Sequence, residues 1–293
     1  MTPTVTVILP AYHAGATLKR AVESLLAQSF ADWEAVIASD DCSDYLALLA
    51  GQGLRDPRLR QVSTGVSGSG DFNARNAALP AARGRFLAAL DADDAFAPQR
   101  LEALLPLAER HGAAVCNTGT HDRDGRLYKR PFPAATAPFA MTAEHILSPR
   151  TPFFPVFRRE LAGQGWPALP FCADVLFNLQ LLCRAEALIC HPDSLYRYYK
   201  TDGSITQSAE TARIAEAGYR CILSRLDADG FGLDPAVRAA ARAEFSANLA
   251  LNRIFARWMR EGRCRNLEEF LDATENGKAP WLQAEVAAEV VAW

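Results

Sequence analysis

No stretch of this 293-residue chain approaches the roughly 18 consecutive apolar residues of a membrane-spanning helix. Basic residues are not in excess either: 31 Lys and Arg stand against 34 Asp and Glu, a net charge of -3. Nucleic-acid binding draws on a surplus of cations, so no nucleic-acid partner is expected. The opening MTPTVTVILPAY lacks a basic segment followed by a long apolar run. It reads as a strand rather than a leader, and a cytoplasmic setting is expected. No C-x-x-C pair occurs among the seven cysteines, and their odd number does not suit a disulfide framework. Buried thiols in a reducing compartment are expected instead. A dinucleotide site would need G-x-G-x-x-G after the first strand, where this chain has PAYHAG with one glycine. The later GVSGSGD follows a weak third strand and reads as a flexible loop.

What is present is an alternation of strands and helices. Strands are expected at residues 5–9, 33–38, 59–62, 85–90 and 113–116. Between them, apolar residues at helical spacing predict helices at 17–28, with Thr17 as its cap, and at 44–50, 73–82 and 98–110. Such an order predicts an α/β fold with a mostly parallel sheet covered on both faces. Ligands of open α/β sheets bind beyond the carboxyl ends of the strands. Asp40 and Asp41 follow the second strand, and Asp91-Ala92-Asp93-Asp94 follow the strand at 85–90. Both clusters are thus placed to face one crevice.

The segment FLAALDADDAF sets three carboxyl groups within four positions, where they repel one another. A cation relieves that repulsion. An Asp-x-Asp pair offers oxygen ligands to a hard divalent ion such as Mg²⁺ or Mn²⁺, which can also bridge to a diphosphate. Ala92 puts Asp91 and Asp93 on the same side of an extended segment. Asp94 has the alternative of capping the helix near Pro98, and Asp40 that of shaping a turn.

The order of features VTVILPAY, SDDCSD and NARNAALPAARGRFLAALDADD resembles the amino-terminal half of family 2 glycosyltransferases of the GT-A fold. ADVLFNLQLL resembles that family's Glu-Asp segment, and LYRYYKTDGSIT the strand and loop after it. The resemblance covers residues 4–206 and implies a GT-A domain there, with a nucleotide-binding half at 1–97 and an acceptor-side half at 98–206. By the same resemblance, Pro10, Ala11 and Tyr12 border the base, and Asp41 accepts a hydrogen bond from uracil. Arg75 lies near the diphosphate. Asp91, Ala92 and Asp93 meet ribose and a Mn²⁺ or Mg²⁺ ion, with Asp93 the stronger metal ligand. Asp174 is the general base.

The implied partners are a nucleotide-sugar donor and a glycan or lipid-linked glycan acceptor, in polysaccharide or cell-envelope assembly. The implied reaction is a single displacement that inverts the anomeric carbon. Departures from the family pattern are His13 for a frequent asparagine, Cys42 for a frequent glycine, and Ala173 for the glutamate before Asp174. KTDGSIT lacks a histidine that some members place near the metal, and Lys200 either approaches the diphosphate or lies on the surface. The alternatives are an inactive nucleotide-sugar-binding module of the same fold and a sugar-1-phosphate nucleotidyltransferase. The latter usually opens with a glycine-rich loop and an arginine. A dehalogenase-type phosphatase carries Asp-x-Asp after its first strand, far earlier than here.

The middle of the chain is proline-rich and predicts loops and short strands, then a helix at 173–184 and a strand at 195–199. Tyr196, Tyr198, Tyr199, Trp166 and Phe171 either stack on sugar rings or pack internally. Residues 207–293 predict a helical extension. In its longest helix, Leu251, Ile254, Phe255 and Trp258 share one face, and Arg253, Arg257 and Arg260 another. Packing within the chain, a homodimer contact, and a membrane contact through residues 251–265 at the inner face are the three readings of that helix.

Overall fold

The computed structural model describes residues 2–122, 124–134, 136–200, 210–275 and 277–291. The chain divides into two compact units. The first holds Met1–Thr142, Thr151–Ala168 and Asp174–Lys200; the second holds Ala143–Arg150, Leu169–Ala173 and Thr201–Trp293.

In chain order the strands of the first unit are β1 (Val5–Ala11), β2 (Trp33–Ser39), β3 (Leu59–Ser63), β4 (Phe86–Ala89), β5 (Ala95–Phe96), β6 (Gly112–His121), β7 (Leu127–Lys129), β8 (Phe139–Ala140), β9 (Val156–Arg158) and β10 (Ala187–Tyr199). The helices of the chain are α1 (Leu18–Leu26), α2 (Tyr45–Gly51), α3 (Asp71–Ala78), α4 (Arg100–His111), α5 (Ala143–Leu147), α6 (Ala173–Arg184), α7 (Thr211–Asp227), α8 (Pro235–Arg260), α9 (Leu267–Ala273) and α10 (Pro280–Val291). Among the described residues one sheet runs in the order β3-β2-β1-β4-β9-β6-β10-β5, with β7 on β6 and β8 on β10.

The parallel sheet anticipated from the sequence is the run β3-β2-β1-β4. Its strands are nearly continuous apolar segments because both faces are covered: every residue of β2 is buried. Glu34 survives inside β2 because Thr6 donates to it at 2.8 Å and Arg83 Nε at 2.8 Å. β9, from the proline-rich stretch, lies antiparallel between β4 and β6 and makes the sheet mixed. β10 is longer than the 195–199 read from sequence. His191-Pro192-Asp193-Ser194 looks like a turn, but the strand carries it as an irregularity in its pairing with β6. Thr17 does not cap α1: its backbone is already helical and its side chain makes no capping bond.

In the second unit, α7 packs along α8, and α10 and α5 pack on α8 as well. Phe171 presses against Gly218, where an added Cβ would lie 2.6 Å from the Phe171 Cβ. The apolar face of α8 is used inside this unit. Leu251, Ile254, Phe255 and Trp258 are buried with Phe270 and Leu282. Arg257 pairs with Glu285 and, at 3.7 Å, with Glu289; Arg253 reaches Glu289 at 4.0 Å. The homodimer and membrane readings of residues 251–265 lose their apolar surface, since burial removes it from any outside partner. No described helix is long and apolar enough to cross a membrane. All seven cysteines are free, and Cys42 is exposed rather than buried.

Candidate active site

β1, β2 and β4 are parallel neighbours, so their carboxyl ends open on the same edge of the sheet. Tyr12 and His13 follow β1, Asp40 and Asp41 follow β2, and Asp91 to Asp94 follow β4. The two acidic clusters expected to share a crevice therefore do lie at one sheet edge.

The Asp91–Asp94 segment is a tight turn, closed by the Asp94 N–H donating to the Asp91 carbonyl at 3.0 Å. Asp94 does not cap a helix: α4 begins later, at Arg100. Its carboxyl is fully buried and faces β10. The Tyr196 hydroxyl donates to Asp94 Oδ2 at 2.8 Å, and the Tyr199 N–H donates to Oδ1 at 2.9 Å. Burial, then the charges of Asp93 and Asp91, push the Asp94 carboxyl well above the usual range. Arg20, which the sequence reading passed over, donates to the Asp93 carbonyl and lies over the Tyr199 ring at 4.0 Å.

Arg75 is the centre of the charge arrangement. It lies on α3, is 3% exposed, and donates to Asp91 Oδ1 at 2.6 Å. On its other side it holds Asp71, one helical turn back, a residue not singled out from the sequence. Burial works against its charge, but Asp91, Asp71 and Asp174 outweigh that and raise its pKa. Its Nε is buried without a partner among the described residues. Asp174, half-buried in the first turn of α6, is close enough to feel Arg75. Desolvation still wins there and lifts its pKa above the ordinary value. For Asp91 desolvation likewise leads, with Asp93 adding to it against Arg75, and the carboxyl is pushed up to about 6.

Residues 6–166 match the profile of Glycosyl transferase family 2. The chain belongs to that family. The succinoglycan biosynthesis protein ExoO of Rhizobium meliloti (strain 1021) is 32% identical over 226 residues, 70% of this chain and 63% of its own length. This chain thus spans less than two thirds of that relative. Among solved structures, S. aureus TarS 1-349 in complex with UDP-GlcNAc matches with a TM-score of 0.61 and 21% identity, over 98% of this chain and 88% of that one. The mannosyltransferase PcManGT from Pyrobaculum calidifontis, in complex with GDP-Man and Mn²⁺, matches with a TM-score of 0.57 and 18% identity, over 99% and 87%. These two likenesses cover nearly the whole chain, the C-terminal helices included, and show a shared fold.

Within this family 2 chain, the end of the crevice at β1 and β2 has one carboxylate with all its acceptor positions filled. Asp41 Oδ2 accepts from the Tyr45 hydroxyl at 2.7 Å and the His13 N–H at 2.8 Å. Oδ1 accepts from the Ser39 hydroxyl and the Ser43 N–H, both at 3.1 Å. Burial alone would raise its pKa, but the Tyr45, His13 and Ser43 donors hold it down to about 2. A carboxylate offers about four acceptor positions, and four donors of this chain fill those of Asp41. Asp40 is an anchor: it accepts from Thr64 Oγ1 at 2.9 Å, from Gly70 N–H at 3.0 Å and from Ser69. The GVSGSGD loop, read as flexible, is thereby tied to β2. Pro10 is half-buried and Ala11 buried, which leaves Tyr12, 52% exposed, as the open ring at the end of β1.

The two departures on this side share one backbone feature. His13 has φ 49° and Cys42 φ 62°, the left-handed region where asparagine and glycine are the easier residues. The aromatic residues weighed as sugar platforms mostly pack internally. Tyr196 stacks on Phe154 at 4.2 Å, Trp166 on Phe177 at 4.4 Å, and Phe171 meets Tyr219 edge-on. Lys200 lies over the Tyr128 ring at 5.1 Å, and the TDGSIT residues after it fall outside the described residues.

Asp91 and Asp93 suit a hard divalent cation by chemistry. Among the described residues no group of three or more His, Cys, Asp or Glu is arranged as an ion site. Mg²⁺ takes few oxygens from protein when phosphate and water supply the rest, so two carboxylates with a diphosphate make a sufficient set. The raised Asp91 pKa reflects burial first, with the charge of Asp93 adding to it against Arg75.

Proposed function

We propose that this chain is an inverting glycosyltransferase that moves a sugar from a nucleotide donor, a UDP-sugar, to a hydroxyl of a glycan or lipid-linked glycan in the cytoplasm. The observation that carries the reading is Arg75, buried between Asp91 at 2.6 Å and Asp71 and within the field of Asp174. One guanidinium joins α3 to the turn after β4 and feels the charge of Asp174 at the start of α6, where leaving group and acceptor would meet.

In this reading residues 1–97 bind the nucleotide, residues 98–206 form the acceptor side, and residues 207–293 are a helical extension. Tyr12 offers its exposed ring to the base, beside Pro10 and Ala11, and Asp41 exchanges a donor for the base N–H. Asp91, Ala92 and Asp93 take the ribose and the cation. A Mn²⁺ or Mg²⁺ ion held by Asp93 and Asp91 would offset charge on the departing diphosphate. Arg75 faces the same charge. Asp174 accepts the proton of the acceptor hydroxyl as its oxygen bonds to the anomeric carbon. The bond from that carbon to the diphosphate oxygen breaks, and the configuration inverts. A base with a raised pKa suits this role, because proton transfer is most effective when the base titrates nearer the working pH. ExoO and the UDP-GlcNAc complex of TarS support the setting and the donor class.

The test is Asp174→Asn, assayed with UDP-sugars and Mn²⁺. Donor affinity is expected to hold while transfer falls by about 10²–10⁴-fold, the usual contribution of a positioned base. The acid limb of the wild-type pH profile should lie above the ordinary aspartate range. Near wild-type transfer by the variant removes Asp174 as the base.

A further inference from the structure

Of the three carboxyl groups in the Asp91–Asp94 turn, that of Asp94 is fully buried and has both oxygens bonded to β10. We infer that Asp94 and Tyr196 are positioning residues that hold the Asp91-Ala92-Asp93 turn in its ligand-binding shape, an inference that rests on reading that turn as the donor and metal site.

The link is a single oxygen. The Tyr196 hydroxyl accepts the Asp91 N–H at 3.0 Å and donates to Asp94 Oδ2 at 2.8 Å. Both ends of the turn are therefore tied to one atom of β10. The turn's own bond from Asp94 N–H to the Asp91 carbonyl, at 3.0 Å, closes it internally. The Tyr199 N–H adds a third link, to Asp94 Oδ1 at 2.9 Å. A tyrosine hydroxyl has one proton to give and lone pairs to accept with, and both capacities are used here.

Tyr196 is itself rigidly placed. It is fully buried, stacks on Phe154 at 4.2 Å and meets Phe96 edge-on at 5.8 Å. Its backbone is paired with Thr118 of β6 on one side and Phe96 of β5 on the other. β5 follows the turn directly, so β10 holds the turn through main chain and side chain together. Displacing Asp91 or Asp93 would require moving a buried aromatic cluster. Groups that orient metal ligands in this way typically change metal affinity by 10- to 100-fold when removed.

Calorimetric titration of the full chain with UDP, in Mn²⁺ and separately in EDTA, tests this. Tyr196→Phe removes the hydroxyl and keeps the ring. UDP affinity in Mn²⁺ should fall by at least about tenfold, while affinity in EDTA changes little. Asp94→Asn keeps one acceptor but sets an amide NH2 against the other of the two donors, and should act in the same direction. Because both variants break one link, the double variant should lose little more than the worse single one. A merely structural role would lower the melting temperature and leave the ratio of the two affinities unchanged, which overturns the inference. If Tyr196→Phe does not fold, Asp94→Asn gives the same ratio. Wild-type protein whose UDP affinity ignores Mn²⁺ overturns the donor-site reading and this inference together. Wild-type dependence on Mn²⁺ that both variants preserve overturns this inference alone.

Discussion

Arg75 donates to Asp91 Oδ1 at 2.6 Å and holds Asp71 on its other side, so one buried cation joins the first turn of α3 to the turn after β4. Taking one partner out of a buried pair leaves an uncompensated charge, at a cost of about 3–5 kcal/mol. Arg75→Ala should therefore destabilise the fold by about 3 kcal/mol in urea unfolding, besides weakening donor binding. Asp71→Asn should cost far less, because Asp71 is mostly exposed. Equal losses from the two variants would show that Arg75 is not held as described.

Asp41 ties a pH window to stability. Its folded-state pKa, about 2, lies below the ordinary aspartate value. A depressed carboxylate stabilises the fold fully above its unfolded pKa and loses that contribution as pH falls through the folded one. Wild-type stability should accordingly drop between about pH 4 and pH 2. Asp41→Asn should flatten that part of the curve. Parallel curves for the two proteins would assign the acid loss elsewhere.

Cys42 sits at φ 62° with its side chain exposed. A left-handed residue other than glycine carries strain of about 1–2 kcal/mol, partly offset by the freedom glycine gains in the unfolded chain. Cys42→Gly should stabilise the protein by about 1 kcal/mol, read as a shift in the urea midpoint with an unchanged slope. A destabilised variant would show that the thiol makes a favourable contact.

Trp258 is buried on α8, edge-on to Phe270 at 5.1 Å and stacked with Trp281 at 6.0 Å. Trp258→Ala should cost about 3–5 kcal/mol, the usual range for removing a buried large aromatic. Vesicle flotation with anionic lipids should give no salt-sensitive binding through this face, because its apolar residues are already packed. A stable variant, or wild-type flotation abolished by the substitution, would reverse that reading.

Much of this was legible in the sequence because the relevant signals are local. Continuous apolar strands, helical spacing and acids at strand ends placed β1 to β4 and α1 to α4, and periodicity alone placed α7 to α10. What escaped depends on distant partners. Asp94 looks like a cap because the residue that claims it, Tyr196, lies about a hundred positions away. Asp40 looks like a turn former, yet its partners come from the loop before α3. Arg20 and Asp71 look like ordinary surface charges of amphipathic helices. The first half of β10 was missed because His-Pro-Asp-Ser favours a turn locally, and pairing with β6 overrides it. The apolar face of α8 was visible from spacing, but its occupant was not.

The second unit also draws on two short inner segments, Ala143–Arg150 and Leu169–Ala173. Phe171 from one of them presses on Gly218, and Arg150 from the other reaches Glu244 at 3.6 Å. A chimera that exchanges only the carboxyl-terminal helices with those of a relative would leave these two segments facing foreign neighbours. The exchangeable module is therefore discontinuous in the gene, and a swap that keeps both proteins folded has to carry three pieces of coding sequence rather than one.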